Sequence, residues 1–128
     1  MWPRRAERQP SASSERARLS CIMSLPLILT LQMDEHSSSV FEHLRQQHFP
    51  PDRNFIPAHL TLFHKLPAHA EDSVSKVLED LAQTQLPLRL EATSLRFFGR
   101  GVAYVITSPA LLALRARLAE RWSEWLTP

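Results

Sequence analysis

From residue 25 onward, the apolar and polar positions predict strands and helices in the order β-α-β-α-β-β-α. Residues 25–33 (LPLILTLQM) form an apolar run bounded by Pro26 and Asp34, which predicts a strand. Residues 34–48 predict a helix with a short apolar face at Val40, Phe41 and Leu44, stopped by Pro50-Pro51-Asp52. Residues 56–66 (IPAHLTLFHKL) predict a second strand, broken by Pro67. Val74, Val77, Leu78 and Leu81 recur at i, i+3, i+4 and i+7, which predicts a helix over residues 71–83. Leu88, Leu90 and Ala92 alternate with Arg89, Glu91 and Thr93, predicting a long strand over residues 86–98. Phe97-Phe98-Gly99-Arg100-Gly101 then reads as a hairpin loop, with residues 102–107 as the return strand. Ser108-Pro109 opens the last helix, with serine as N-cap and proline at the first helical position. Leu111, Leu114, Leu118, Trp122 and Trp125 form its buried stripe.

This order predicts an α+β fold: a mainly antiparallel sheet with helices packed on its outer face. The chain has 128 residues, 44% hydrophobic and 22% charged, which is the size and balance of one globular domain. No apolar run approaches the ~20 residues that a membrane-spanning helix needs. A single cysteine, Cys21, excludes an internal disulfide framework and a cysteine-based zinc cage, and it fits a reducing compartment. Two glycines leave neither a G-x-G-x-x-G pattern nor a P-loop, which removes those nucleotide-binding classes.

Charge divides the chain into two parts. Residues 1–22 hold five arginines against two glutamates, whereas residues 23–128 hold ten basic and eleven acidic residues. The basic balance therefore belongs to the leader, and a basic body that grips nucleic acid by charge alone is not supported. The leader is rich in Arg, Ser and Pro and has no apolar period, so it cannot bury enough surface to offset the entropy of ordering. Glu7, Glu15 and Pro10 count against a mitochondrial presequence, and no small-x-small cleavage site follows the apolar run at residues 25–31. The reading preferred is a disordered basic leader over residues 1–22, with Met23 as the natural first residue of a domain over residues 23–128.

The candidate chemistry is histidine. His36, His43, His48, His59, His64 and His69 show no i, i+4 pair of the H-E-x-x-H type. Their steps of five point neighbouring rings apart on either a helix or a strand, so no metal is expected. His59 differs by its company. In His59-Leu60-Thr61-Leu62-Phe63, strand alternation predicts His59, Thr61 and Phe63 on one face, with Leu60 and Leu62 against the helices. Neutral imidazole, with a pKa near ~6.5, takes or gives a proton at physiological pH. The threonine hydroxyl donates to a phosphoryl oxygen. Alone, His-x-Thr is a three-residue pattern that a half-buried strand histidine also satisfies.

With its context, the chain from Met23 to the last residue resembles the two-histidine phosphoesterases of the 2′-5′ RNA ligase-like family. The likeness rests on Pro57-Ala58-His59-Leu60-Thr61-Leu62-Phe63, on the element order around it, and on Phe98-Gly99-Arg100 before the return strand. It implies a bilobal fold in which each lobe gives one His-x-Thr/Ser motif to a central cleft. It implies action on 2′,5′ or 2′,3′-cyclic phosphodiesters of RNA ends or small nucleotides, as ligation or hydrolysis, with no cofactor or metal. His59 would then be one catalytic histidine, and Thr61 would hydrogen-bond the phosphate. Phe63, Phe98 and Arg100 are further substrate-binding candidates; Phe97 and Phe98 also suit closing the hairpin, and Arg100 a solvated loop tip.

The resemblance also implies a second His-x-Thr/Ser on a strand after the last helix, and these residues carry none there. His64 and His69 lack the hydroxyl, and His36-Ser37-Ser38 falls at a helix start. The expectation is a domain truncated before the second motif. Three readings stay open: an enzyme complete only in a longer form, a non-catalytic half-site that binds a nucleotide phosphate, and a truncated product without function. A cytoplasmic location, no membrane partner and a monomeric state complete the expectation.

Overall fold

The computed structural model describes residues 25–126; the expected leader over residues 1–22, Cys21 included, lies outside the described residues. The elements follow the expected order: β1 (Leu27–Leu31), α1 (Glu35–His48), β2 (Leu60–Leu66), α2 (Glu71–Ala82), β3 (Glu91–Phe97), β4 (Val102–Thr107) and α3 (Pro109–Arg121). Short 3-10 turns lie at Pro51–Arg53 and Ala68–Ala70.

Side-chain caps set two helix starts. The Asp34 carboxylate accepts the Ser37 N–H at 2.9 Å, satisfying one of the free donors of the first turn of α1. The Ser108 hydroxyl accepts the Leu111 N–H at 3.2 Å and itself donates to the Arg89 carbonyl at 2.8 Å. That second bond ties the start of α3 to the segment before β3.

Two strands are shorter than their alternation suggests, and each shortening contains a proline. Pro87 has no N–H for a ladder, so residues 86–90 stay irregular although Leu88 and Leu90 pack against the core. Pro57 does the same for residues 56–59, and β2 begins at Leu60.

The class is α+β and the pairing is antiparallel. Among the described residues the strands form two two-stranded sheets, β1 with β2 and β3 with β4. In the first, Leu27 faces Leu66, Leu29 faces Phe63, Thr30 faces Thr61 and Leu31 faces Leu60. One step along β1, from Leu29 to Thr30, answers two along β2, and the two steps from Leu27 to Leu29 answer three. Strand β2 is therefore bulged twice.

The core fills the space between this pair and two helices. Leu62, Phe63 and Leu66 of β2 are buried with Ala70, Val74 of α2, Leu111, Leu114 and Leu118 of α3, and Trp122. Leu27, Leu29 and Leu31 pack on its edge. The Trp122 and Phe63 rings meet edge to face, with centroids 5.3 Å apart. The expected α3 stripe is present, with Trp125 half-buried at its end. Helix α1 buries no residue fully; its Phe41 sets a ring edge-on against Tyr104 of β4 at 5.1 Å.

Candidate functional site

The site begins at the peptide unit between Pro57 and Ala58. His59 is exposed and immediately precedes β2, with its Nδ1 2.9 Å from the Pro57 carbonyl oxygen. A carbonyl only accepts, so Nδ1 carries the proton in this bond, and the neutral ring keeps its lone pair on Nε2. The Ala58 N–H, on the other side of the same peptide unit, donates to Glu42 Oε2 of α1 at 2.8 Å. One helical turn away, Arg45 Nε donates to Asn54 Oδ1 at 2.8 Å. Residues three apart share a helix face, so α1 grips the approach to β2 at two points.

Thr61 follows two residues after His59. It is exposed and faces Thr30 across the ladder, which is exposed as well. The β1–β2 pair thus turns Leu27, Leu29 and Leu31 toward the core, with Thr30 and Thr61 toward solvent. An imidazole and a hydroxyl are therefore both solvent-exposed at the start of β2.

Phe63 requires a correction. Strict alternation puts it on the face of His59 and Thr61, but only 3% of it is exposed, and it packs on Trp122. The bulge between Thr61 and Phe63 is the cause: the extra residue turns both Leu62 and Phe63 inward. The Arg115 guanidinium of α3 lies 4.9 Å from the Phe63 ring centre, and its Nε donates to the Leu62 carbonyl at 3.2 Å. Arg115 thereby supplies a hydrogen bond at the bulge itself.

Phe98 and Arg100 sit elsewhere, at the exposed tip of the β3–β4 hairpin. Gly99 takes a φ of 70° at the first central position of the turn, closed by the Phe98 N–H donating to the Gly101 carbonyl at 2.8 Å. The Arg96 guanidinium lies 5.3 Å from the Phe98 ring centre. No ladder joins this hairpin to β2 among the described residues. The structure leaves His59 and Thr61 both exposed, turns Phe63 inward and places Phe98 and Arg100 in the turn of the other strand pair.

The other histidines are exposed: His36, His43 and His48 on α1, His64 on β2 and His69 in the 3-10 turn. Among the described residues, no group of three or more His, Cys, Asp or Glu side chains could hold a metal ion. No helix among them is long and apolar enough to cross a membrane.

Sequence reading did not single out Glu42 or Arg115. The three-residue step from Glu42 to Arg45 places both on one face of α1, but their partners lie in an irregular segment. Arg115 reaches a backbone carbonyl 53 residues away, which no local pattern marks.

A family model described as the 2'-5' RNA ligase superfamily matches residues 33–128, three quarters of the chain. The match spans α1 through α3 and so includes Glu42, His59 and Thr61. No curated protein and no solved structure matches the chain.

Proposed function

Because the chain belongs to the 2′-5′ RNA ligase superfamily, we propose that His59 and Thr61 are its phosphate-handling pair, acting on a 2′,5′ or 2′,3′-cyclic phosphodiester of an RNA end or small nucleotide. The observation that supports this reading is the bond from His59 Nδ1–H to the Pro57 carbonyl, which in the neutral ring leaves the lone pair on Nε2, two residues before the exposed Thr61. As a base, Nε2 takes the proton of a water or hydroxyl oxygen as that oxygen bonds to phosphorus. As an acid, it returns a proton to the ribose oxygen as the P–O bond to that oxygen breaks. Hydrolysis of a cyclic phosphate in this way yields a 2′- or 3′-phosphate monoester. The Thr61 hydroxyl donates to a non-bridging phosphoryl oxygen throughout. The step calls on no metal or cofactor, and the reading extends to a monomeric protein in the cytoplasm.

In-line displacement puts the entering and leaving oxygens on opposite sides of phosphorus, and one imidazole cannot attend both. Each acid or base contributes about 10²–10⁴ in rate, which corresponds to about 3–5 kcal/mol of barrier. These 128 residues hold one His-x-Thr, at the start of β2, so within a single copy of them binding outruns turnover. That same observation favours a second reading, a phosphate-binding half-site without catalysis.

The test is to titrate the protein with a 2′,3′-cyclic nucleoside monophosphate, following binding by calorimetry and monoester formation by chromatography. Product that falls about 10²-fold or more in His59→Ala supports the catalytic reading. Binding that weakens in His59→Ala and Thr61→Ala with no product supports the half-site. Neither binding nor product with the unaltered chain, or product indifferent to His59→Ala, rejects the pair.

A further inference from the structure

We propose that Glu42 is a positioning residue for His59, acting through the single peptide unit that lies between their two hydrogen bonds. The importance of this for chemistry rests on the reading of His59 as the proton-handling group. The N–H of Ala58 and the C=O of Pro57 belong to the same planar amide. Glu42 Oε2 holds that amide by its N–H at 2.8 Å, and His59 Nδ1 holds it by its C=O at 2.9 Å. In a trans peptide these two groups point in opposite directions, so the carboxylate and the imidazole face each other across the amide.

Two consequences follow from that arrangement. The first is geometric. A peptide plane between two Cα atoms has one easy motion, rotation about the Cα–Cα axis, which swings its N–H and C=O together. Anchoring the N–H on a helix-borne carboxylate arrests that rotation, and the Pro57 carbonyl is held where Nδ1–H can reach it. The Glu42 carboxylate is itself steadied: its Oε1 accepts from Gln46 Nε2 at 3.3 Å, one turn along α1. The second consequence is electronic. A carboxylate accepting from an amide N–H polarises that amide, and its carbonyl becomes a stronger acceptor for the next donor. The chain runs from carboxylate through amide to Nδ1–H, so negative charge on α1 favours the tautomer that keeps the lone pair on Nε2. Direct carboxylate–histidine pairs orient an imidazole by the same logic; here one peptide unit is interposed.

Arg45 supports the assignment from a second point. Its bond to Asn54 ties the same loop to the same helix face, so Glu42 closes a segment that is already anchored at its far end. Glu42 belongs to no ion pair among the described residues; its two hydrogen bonds, one to the loop and one to Gln46, are what the structure assigns to it.

The experiment uses the full chain labelled with ¹⁵N and needs no substrate. Long-range ¹H–¹⁵N correlation reads the tautomer of His59 directly, from a protonated-type shift at Nδ1 and a lone-pair-type shift at Nε2. The unaltered chain is expected to show that split at neutral to mildly basic pH, together with slowed exchange of the Ala58 amide. Glu42→Gln, which keeps an acceptor oxygen at the same reach but not the charge, is expected to keep the slowed Ala58 exchange and to show a smaller split. Glu42→Ala and the shorter Glu42→Asp are expected to lose it, with the two nitrogen shifts converging and the Ala58 amide exchanging freely. Alanine is the best helix former, so the Ala variant keeps the propensity of α1, and the Asp variant gives a second reading if the Ala variant folds poorly. A split unchanged in Glu42→Ala overturns the proposal. So does an Ala58 amide that exchanges at the rate of a free loop in the unaltered chain, a result that needs no variant. Because the spectrum is independent of turnover, a chain that neither binds nor cleaves cyclic nucleotide yet shows the Glu42-dependent split refutes the role of His59 and leaves the positioning intact.

Discussion

The two antiparallel strand pairs have similar apolar content and opposite environments. In β2, Leu66 is 1% exposed and Phe63 3%, whereas in β3 Leu95 is 51% exposed and Phe97 74%. Every residue of β3 is exposed, and in β4 only Ile106 is partly buried. The ladders themselves are comparable; the difference is cover. Helices α2 and α3 and Trp122 lie on the β1–β2 pair, while the β3–β4 hairpin leans on α1 chiefly through Phe41 and Tyr104. Burial contributes roughly 25 cal/mol per Å² of apolar surface, and an isolated two-stranded hairpin is marginal in water. Stability is therefore concentrated in the unit that carries His59 and Thr61. The hairpin holds its shape through its ladder, its turn and the Thr93 hydroxyl, which donates to the Val105 carbonyl at 3.3 Å.

That contrast can be broken most sharply at Trp122. Trp122→Ala removes the ring that closes the core on Phe63 and is expected to cost about 3–5 kcal/mol. Phe97→Ala on the exposed strand is expected to stay within about 0.5 kcal/mol. Urea melts of both variants measure the gap, and equal losses would mean that the hairpin is as well packed as the core. Ser108 joins the two regions, since it caps α3 and donates to Arg89 just before β3. Ser108→Ala is expected to cost about 1–2 kcal/mol, at the upper end because the Arg89 carbonyl also loses its donor. A thermal melt within error of the unaltered chain would show that neither bond matters.

Within the hairpin, Gly99→Ala meets no neighbouring atom, so its only penalty is the positive φ. The expected loss is about 1 kcal/mol, read as faster amide exchange across β3 and β4 with β1 and β2 unchanged. Equal exchange changes in both sheets would show them to be one cooperative unit.

The smallest effect is at Asp34. Hydrogen bonds from Ser37, the hydroxyl first and the backbone N–H second, hold its carboxyl below the ordinary value of 3.8. A lowered folded-state pKa means that the stabilisation is complete above that ordinary value and is lost as pH falls through the folded one. Asp34→Asn keeps the cap and is expected to match the unaltered chain at pH 7 while flattening the acid limb of its stability curve. An unchanged acid limb would show that this carboxylate plays no part in it.

The chain order of all seven elements, the antiparallel pairing and most of the core were legible in sequence. Leu111, Leu114, Leu118 and Trp122 read as one stripe because a helical period is local, and all four are buried. The strand limits were less legible. Alternation continues through Leu88 and Leu90, but Pro87 withholds a donor, and the ladder starts only at Glu91. Of the candidate site, the pattern His59-Leu60-Thr61 is legible as a motif, and the structure shows both residues exposed. Phe63 was misread because a bulge is a property of two strands in register, and one strand's alternation carries no sign of it.

Local periodicity, prolines and capping residues are thus enough to determine which segments become helix or strand, since each acts over a few bonds of the chain. What tertiary structure alone decided was cover and contact at a distance. It put helices over one strand pair and left the other bare, turned Phe63 into the core, and brought Glu42 of α1 to the amide before His59. Those outcomes depend on residues 16 or more positions apart meeting in space, and such a meeting is set by packing of the whole chain rather than by the period of any one segment.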